Sequence, residues 1–374
     1  MDHRERYIAA LTFAKPDRIP MMPGDGREST YKRWRGEGLP EGENAAAFIM
    51  RELGIPVPQS VDSGFFLDTK MNPVFEERII SHENGHYIVR DWMGAVTEIS
   101  DEFDYTYIRS AKDFVTRKWH KFPVETYADW QDMKKRYDPE DPSRLPSCLD
   151  EISGKVRNRD YIISVNVNGP FWQLREWMGM ENLCVAFLDE PDFVAEMIGF
   201  WSDFVFKLME RFLPFVQIDS FNISEDMAYK AHSMISPALT VKYLQPVYER
   251  WIALLRRYGV PLVDMDSDGY IEELIPIWID SGINVCSPIE AAAHNDIACF
   301  RKRFGKNMAY KGGIDKRAIA AGGEAMRKEV MRVFNPLIEH GGFIPGCDHG
   351  VPHDISFGNY REYVELLVRL TGWL

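Results

Sequence analysis

Residues 260–350 contain VPLVDMDSDG at 260–269, GINVCSPIE at 282–290, MAYKGGIDK at 308–316 and GGFIPGCDHG at 341–350. Each stretch opens on a short apolar or β-branched run and closes on polar or glycine residues. The runs beginning at Val260, Gly282, Met308 and Gly342 start 22, 26 and 34 residues apart. That spacing holds one strand, one helix and two loops. Toward the N terminus, comparable runs occupy 18–22, 55–60, 161–167 and 215–222. Strands alternating with helices build a parallel sheet, and eight of them predict an α/β fold closed as a (β/α)8 TIM barrel.

The intervening helices carry their own signals. Phe193, Met197, Trp201, Val205 and Met209 recur every four residues and Val194, Ile198 and Phe212 widen the stripe, so this face belongs to the core. Ser236-Pro237 reads as an N-cap followed by proline at the first helical position. Gly282 and Gly305 follow helical stretches, where a left-handed residue is expected. Between the second and third strands lie about 100 residues that break the rhythm. Within them, 75–100 alternates in polarity and contains Asn84-Gly85, a two-residue hairpin signal. An antiparallel excursion over the barrel mouth is expected there, then a polar helix within 125–137. There is no internal repeat or Ser/Gly linker, so one domain over 1–374 with an insertion at about 72–150 is the simplest organisation.

Of the 374 residues, 45% are hydrophobic and 27% charged, enough apolar material for a large core. The net charge of −13 disfavours nucleic acid as a partner. No run reaches the ~18–20 apolar residues of a membrane helix, and MDHRERYIAA at 1–10 lacks a signal peptide's apolar core. The five cysteines (Cys148, Cys184, Cys286, Cys299, Cys347) form no CxxC pair. A reducing cytoplasm is the expected setting.

In a parallel barrel, the C-terminal strand ends share one pocket. The fifth run ends Asp264-Met265-Asp266, whose alternation points both carboxylates the same way, suiting metal binding or proton transfer. Asp268 is expected to cap a helix starting near Tyr270. The pattern also resembles the start of a calcium loop, but Ile275 stands where that loop needs glutamate. The eighth run places Cys347 and His349 on one face as metal ligands or acid–base groups. Glu225 and Asp226 follow the fourth run, with Lys230 beyond them as a cation for a substrate carboxylate. Asn168 and Trp172 follow the third, Cys286 ends the sixth, and Asp315 is placed to cap the next helix. Arg27 sits in the turn after the first run and could hold an anionic group. Structural alternatives stand beside these roles: a core thiol for Cys347, a backbone-bonded histidine for His349, and a solvated loop for Glu225–Lys230.

These positions carry a family resemblance. Arg4-Glu5-Arg6, Ala9-Ala10-Leu11 and Lys15-Pro16-Asp17-Arg18-Ile19-Pro20 resemble the opening of uroporphyrinogen decarboxylase-like proteins. So do the run from Glu225 to Lys230 with Ile235-Ser236-Pro237, Gly312-Gly313-Ile314-Asp315-Lys316-Arg317, and the run from Cys347 to Pro352. The resemblance implies the same barrel. True decarboxylases of this superfamily carry an R-Q-A-G-R turn that holds substrate carboxylates. Here the turn is Gly24-Asp25-Gly26-Arg27-Glu28, with one arginine. Another branch moves methyl groups to or from a corrinoid protein, and its coenzyme M-type members bind zinc through H-x-C and a later cysteine. Asp264-Met265-Asp266 resembles the H-x-C slot, and His349 that of the final cysteine, a harder ligand set.

The resemblance therefore implies a corrinoid-dependent methyltransferase taking a methyl group from a small donor such as a methoxylated aromatic. Asp264, Asp266, His349 and Glu225 are the expected catalytic groups. Arg27, Asn168, Trp172, Asp226, Lys230 and Cys286 are the expected substrate contacts. Zinc or another divalent ion would sit on Asp264, Asp266, His349 and Cys347. No cobalamin-binding domain is evident in the sequence, so the corrinoid is expected on a partner protein. A decarboxylase and a non-catalytic ligand-binding barrel are the rival readings, and a homodimer is an open arrangement.

Overall fold

The computed structural model describes residues 1–57, 60–62, 67–102 and 116–374. Two sheets organise them. The larger is parallel and has seven strands. They are β1 (Ser60–Asp62), β6 (Ile162–Asn168), β7 (Ser220–Ser224), β8 (Leu262–Asp266), β9 (Val285–Ser287), β10 (Ala309–Ile314) and β11 (Phe343–Cys347), neighbours in that order. The smaller sheet is antiparallel, with neighbouring strands β2 (Arg78–Glu83), β3 (His86–Arg90), β4 (Val96–Ser100) and β5 (Arg117–Lys121). Asn84 and Gly85, at φ 53° and 78°, make the tight turn between β2 and β3.

Six expected strands of the larger sheet lie within a few residues of their sequence positions. Two expectations change. Residues 18–22 form no strand, because Pro16, Pro20 and Pro23 remove backbone donors that a ladder needs. They run instead against the C-terminal residues, where Ile19 N donates to Thr371 O at 3.1 Å. The run at 215–222 becomes a strand only from Ser220. Just before it, the buried Asp219 carboxylate accepts from Ile163 N at 2.9 Å. Of the strand expected at 55–60, positions 58 and 59 lie outside the described residues.

Strand alternation divides the core into two populations. Val263, Met265, Phe221, Ile223, Cys286, Tyr310, Phe343 and Cys347 join the large cluster that packs against the helices. Leu262, Val285, Ala309 and Ile344 turn the other way and meet Tyr7, Ala10 and Leu11 of the N-terminal helix His3–Leu11. That helix begins with a capping box between Asp2 and Glu5. The long helix Pro191–Phe212 buries the apolar stripe read from the sequence, including Val194, Met197, Trp201, Val205 and Met209. No helix among the described residues is long and apolar enough to cross a membrane.

Candidate active site

The C-terminal ends of β7 to β11 gather the polar residues. In β8, Asp264 and Asp266 follow Leu262 on the face turned from the helices, and the register sets Asp266 beside Ser224 and Ser287. Asp264 is buried and forms an ion pair with Lys311 from β10, while Ser287 Oγ donates to it at 3.2 Å. Burial opposes the charge on Lys311, but Asp264, Tyr7 and Asp266 together hold the lysine pKa above its ordinary value. Asp266 forms no ion pair among the described residues. Burial, reinforced by the Asp264 charge, pushes its pKa up to about 7, with only a Ser224 Oγ bond at 3.0 Å opposing.

Beyond the strand ends, three loops converge. His349 Nε2 lies 3.2 Å from Asp268 Oδ2. Glu290 reaches the same place, and ligand atoms of Asp268, Glu290 and His349 all lie within 4.8 Å of one another. The hydrogen bond to Asp268 raises the His349 pKa, against the effect of burial. Glu290 Oε2 accepts from Gly269 N at 3.0 Å, and its Oε1 meets Lys316 Nζ at 3.3 Å. Gly269 is required, because at φ 83° a Cβ would lie 2.3 Å from Ala228 O. Asp348 fastens the other loops, accepting from Ala291 N at 3.0 Å and Lys316 N at 3.1 Å. Asp226, in the left-handed region at φ 42°, accepts from Asp268 N at 3.0 Å. Burial, then the nearby Asp268 charge, raises the Asp226 pKa.

This arrangement revises several sequence expectations. The carboxylates beside His349 are Asp268 and Glu290, whereas Asp264 is committed to Lys311. Asp268 caps no helix: the next helix is Ile275–Ser281, with Leu274 at its N-cap. Cys347 faces the helix layer, where burial pushes its thiol up to about 12 while the His349 backbone N–H opposes that shift. Cys286 is wholly buried on the same helix-facing side and cannot meet a substrate at the mouth. Glu225 is also fully buried. Its Oε1 accepts from Tyr248 OH at 2.5 Å and its Oε2 from Trp172 N at 2.9 Å, so it clamps the start of helix Pro170–Met178. Burial pushes its pKa up to about 7.

The remaining candidates are dispersed. Asn168 donates to Gln173 Oε1 at 3.0 Å. Trp172 is half-buried beneath the Arg175 guanidinium, 4.3 Å from the ring centroid. Lys230 is exposed on the loop after β7. Arg27 immediately precedes the helix Glu28–Gly36. Asp315 caps Lys316–Ala321 by accepting from Arg317 N. Asp268 and Glu290 as partners of His349, with Lys316 and Asp348 close by, and Lys311 as the partner of Asp264, were not assigned from sequence. Their signal was present as acidic residues one to three positions past a strand. Alternation says nothing there, because loop backbone does not keep the strand's period.

Comparison with known proteins places these residues in a family context. The family model described as Uroporphyrinogen decarboxylase (URO-D) matches residues 116–370, most of the chain. A curated uroporphyrinogen decarboxylase from Alcanivorax borkumensis is 23% identical over 145 residues, 38% of this chain and 37% of that protein. The match thus spans little more than a third of that relative's length. A solved methyltransferase from Methanosarcina mazei superimposes with a TM-score of 0.54 over 99% of both chains, at 12% identity. That likeness concerns the fold.

Proposed function

Since the chain belongs to the uroporphyrinogen decarboxylase family, whose members are enzymes, we propose that it is a corrinoid-dependent methyltransferase acting on a small methyl donor such as a methoxylated aromatic. The observation that carries this reading is the acidity of the strand ends. Asp226, Asp264, Asp266, Asp268, Glu290 and Asp348 gather there, and Lys311 and Lys316 are already paired with Asp264 and Glu290. Such a mouth repels a polycarboxylate porphyrinogen and accepts an uncharged ether. The turn at 24–28 supplies one arginine where a cationic cluster would be needed.

In this reading the methyl carbon–oxygen bond breaks and the departing oxygen keeps the bonding pair. Asp266, with its pKa near neutrality, gives that oxygen a proton. A reduced corrinoid on a separate partner protein would supply the nucleophile that accepts the methyl group. Asp268, Glu290 and His349 have the donor types and mutual reach to hold a zinc-like ion once Glu290 releases Lys316. Such an ion would polarise the donor oxygen. Closure of the parallel sheet into an eight-stranded barrel belongs to the same proposal. It is supported by residues 23–26 running beside the end of β11, where Cys347 N donates to Pro23 O at 3.1 Å and Val351 N to Asp25 O at 2.8 Å.

The test is incubation of the purified chain with a methoxylated aromatic, a reduced corrinoid protein and, separately, uroporphyrinogen. Release of the demethylated phenol only when the corrinoid protein is present is the expected result. Coproporphyrinogen formed in proportion to enzyme would overturn the proposal in favour of decarboxylation. Asp266→Ala should abolish activity, while a chelator should do so only if the acidic group works through a metal.

A further inference from the structure

Between the antiparallel sheet and the helices Pro170–Met178 and Met180–Asp189 lies a cavity of about 760 Å³. Arg117, Trp119 and Phe122 form one wall, Trp172 and Arg175 another, and Tyr229 closes an edge. In β5, Arg117 and Trp119 stand opposite the buried Ile99 and Thr97; Arg117 is half-buried and Trp119 is 44% exposed on the cavity wall. Lys118 stands opposite Glu98, 4.0 Å from its carboxylate, and also lines the cavity. Phe122 anchors this wall to the helices: it packs on Gly179 so closely that a Cβ there would lie 2.2 Å from its ring. Next to it, Val124 N donates to Trp177 O at 3.0 Å. The two walls are therefore held together rather than merely adjacent.

The chemistry of the walls is uneven. Arg117 Nη1 is buried with no hydrogen-bond partner, and Thr97 Oγ1, one register step along the same face, is in the same condition. A buried donor left unpaired costs about 1–3 kcal/mol, so such atoms usually face a ligand or water. The Arg117 guanidinium carbon lies 5.1 Å from the Trp119 ring centroid. Across the cavity, Arg175 stacks on Trp172, donates to Asp226 O at 2.9 Å and lies 3.6 Å from the Asp226 carboxylate. The acidic groups that feel Arg117 are Asp91 and Glu176, and burial raises the pKa of both. Neither forms an ion pair with Arg117 among the described residues. Arg117 is thus a half-buried cation beside aromatic rings, with no direct ion pair among the described residues.

We propose that this cavity binds an aromatic carboxylate. The carboxylate would take the Arg117 guanidinium and the ring would lie among Trp119, Phe122 and Trp172. The volume falls within the ~300–1,000 Å³ range of small-molecule sites. The inference does not depend on methyl transfer. Arg175 nevertheless links the cavity to the acidic group, since it holds Asp226, which in turn holds Asp268 N.

Titration calorimetry and tryptophan fluorescence on the full chain test it, with 4-methoxybenzoate as probe and 4-methoxybenzyl alcohol and acetate as controls. Saturable binding of the benzoate with a change in tryptophan emission is expected. The alcohol, lacking the charge, and acetate, lacking the ring, should bind roughly tenfold more weakly or worse. Arg117→Gln should weaken benzoate binding by roughly tenfold and Arg117→Lys by less. If Arg117→Gln fails to fold by circular dichroism, Trp119→Leu provides the second variant and should also lose affinity. No binding of the benzoate, equal binding of the alcohol, or unchanged affinity in a folded Arg117→Gln or Trp119→Leu protein would overturn the assignment.

Discussion

At the scale of the residue, two aspartates on one strand face different fates because, among the described residues, only Asp264 forms a direct ion pair. Asp264 is neutralised by Lys311, while Asp266 sits beside that pair and is raised to about 7. A carboxyl with a raised folded pKa stabilises the fold most when protonated. Its contribution falls as pH rises from the unfolded value near 4 to about 7. Asp266→Asn should therefore remove that decline. The variant should be more stable than the parent at pH 8 by on the order of 2 kcal/mol, with little difference at pH 4, as measured by denaturant unfolding. Catalysis should be lost in the same protein. His349 moves the other way in charge. Its raised pKa means that the Asp268 contact stabilises the imidazolium below the ordinary histidine value of 6.5, and this stabilisation is lost as pH rises through the folded pKa. Both side chains are partly exposed, so the energetic effect is small. An NMR titration of His349 should show a midpoint above 6.5 that drops in Asp268→Asn. An unchanged midpoint would remove the pairing.

At the scale of the element, the helix Pro170–Met178 is positioned by a buried acid rather than by a cap of its own. Gly169 precedes it without a side-chain cap bond, and Glu225 from the loop after β7 takes the Trp172 amide instead. The helix N-terminus favours that carboxylate, which otherwise pays for its burial in a raised pKa. The fit leaves no space at Gly169, where a Cβ would lie 2.1 Å from Glu225 Cδ. Gly169→Ala should therefore destabilise the protein by about 3 kcal/mol, because the obstacle is a fixed, hydrogen-bonded side chain. A thermal melt identical to the parent would show that Glu225 can move aside. Trp172 and Arg175 ride on this helix, so the same substitution should also disturb the aromatic cavity.

At the scale of the whole molecule, one buried carboxylate ties together parts distant in sequence. Asp219 accepts from Arg4 Nε at 2.7 Å, from Arg159 Nη2 at 2.7 Å and from Ile163 N at 2.9 Å. It thereby fastens the N-terminal helix, the approach to β6 and the approach to β7 at the end of the sheet opposite the acidic loops. Arg159 is itself buried, so removing its partner leaves an uncompensated charge. Asp219→Ala should cost about 3–5 kcal/mol in chemical denaturation, far more than loss of the exposed pair between Lys135 and Asp132.

The sequence alone determined the alternation of strands and helices, the apolar face of Pro191–Phe212 and the Asn84-Gly85 turn. Each depends on local spacing or on the backbone freedom of a few neighbouring residues. It also identified the two loops, after β8 and β11, that bring Asp268 and His349 together. Only the tertiary structure decided which acids meet that histidine. Asp264, Asp268 and Glu290 look alike in sequence. Their difference comes from Lys311, whose chain position gives no sign that it reaches Asp264, and from loops that abandon the strand's two-residue period. The same holds for Cys286 and Cys347: a thiol at a strand end reads as a ligand until packing turns it toward the helices. Burial and charge pairing are sums over neighbours brought together by folding, and those neighbours here come from segments far apart in the chain.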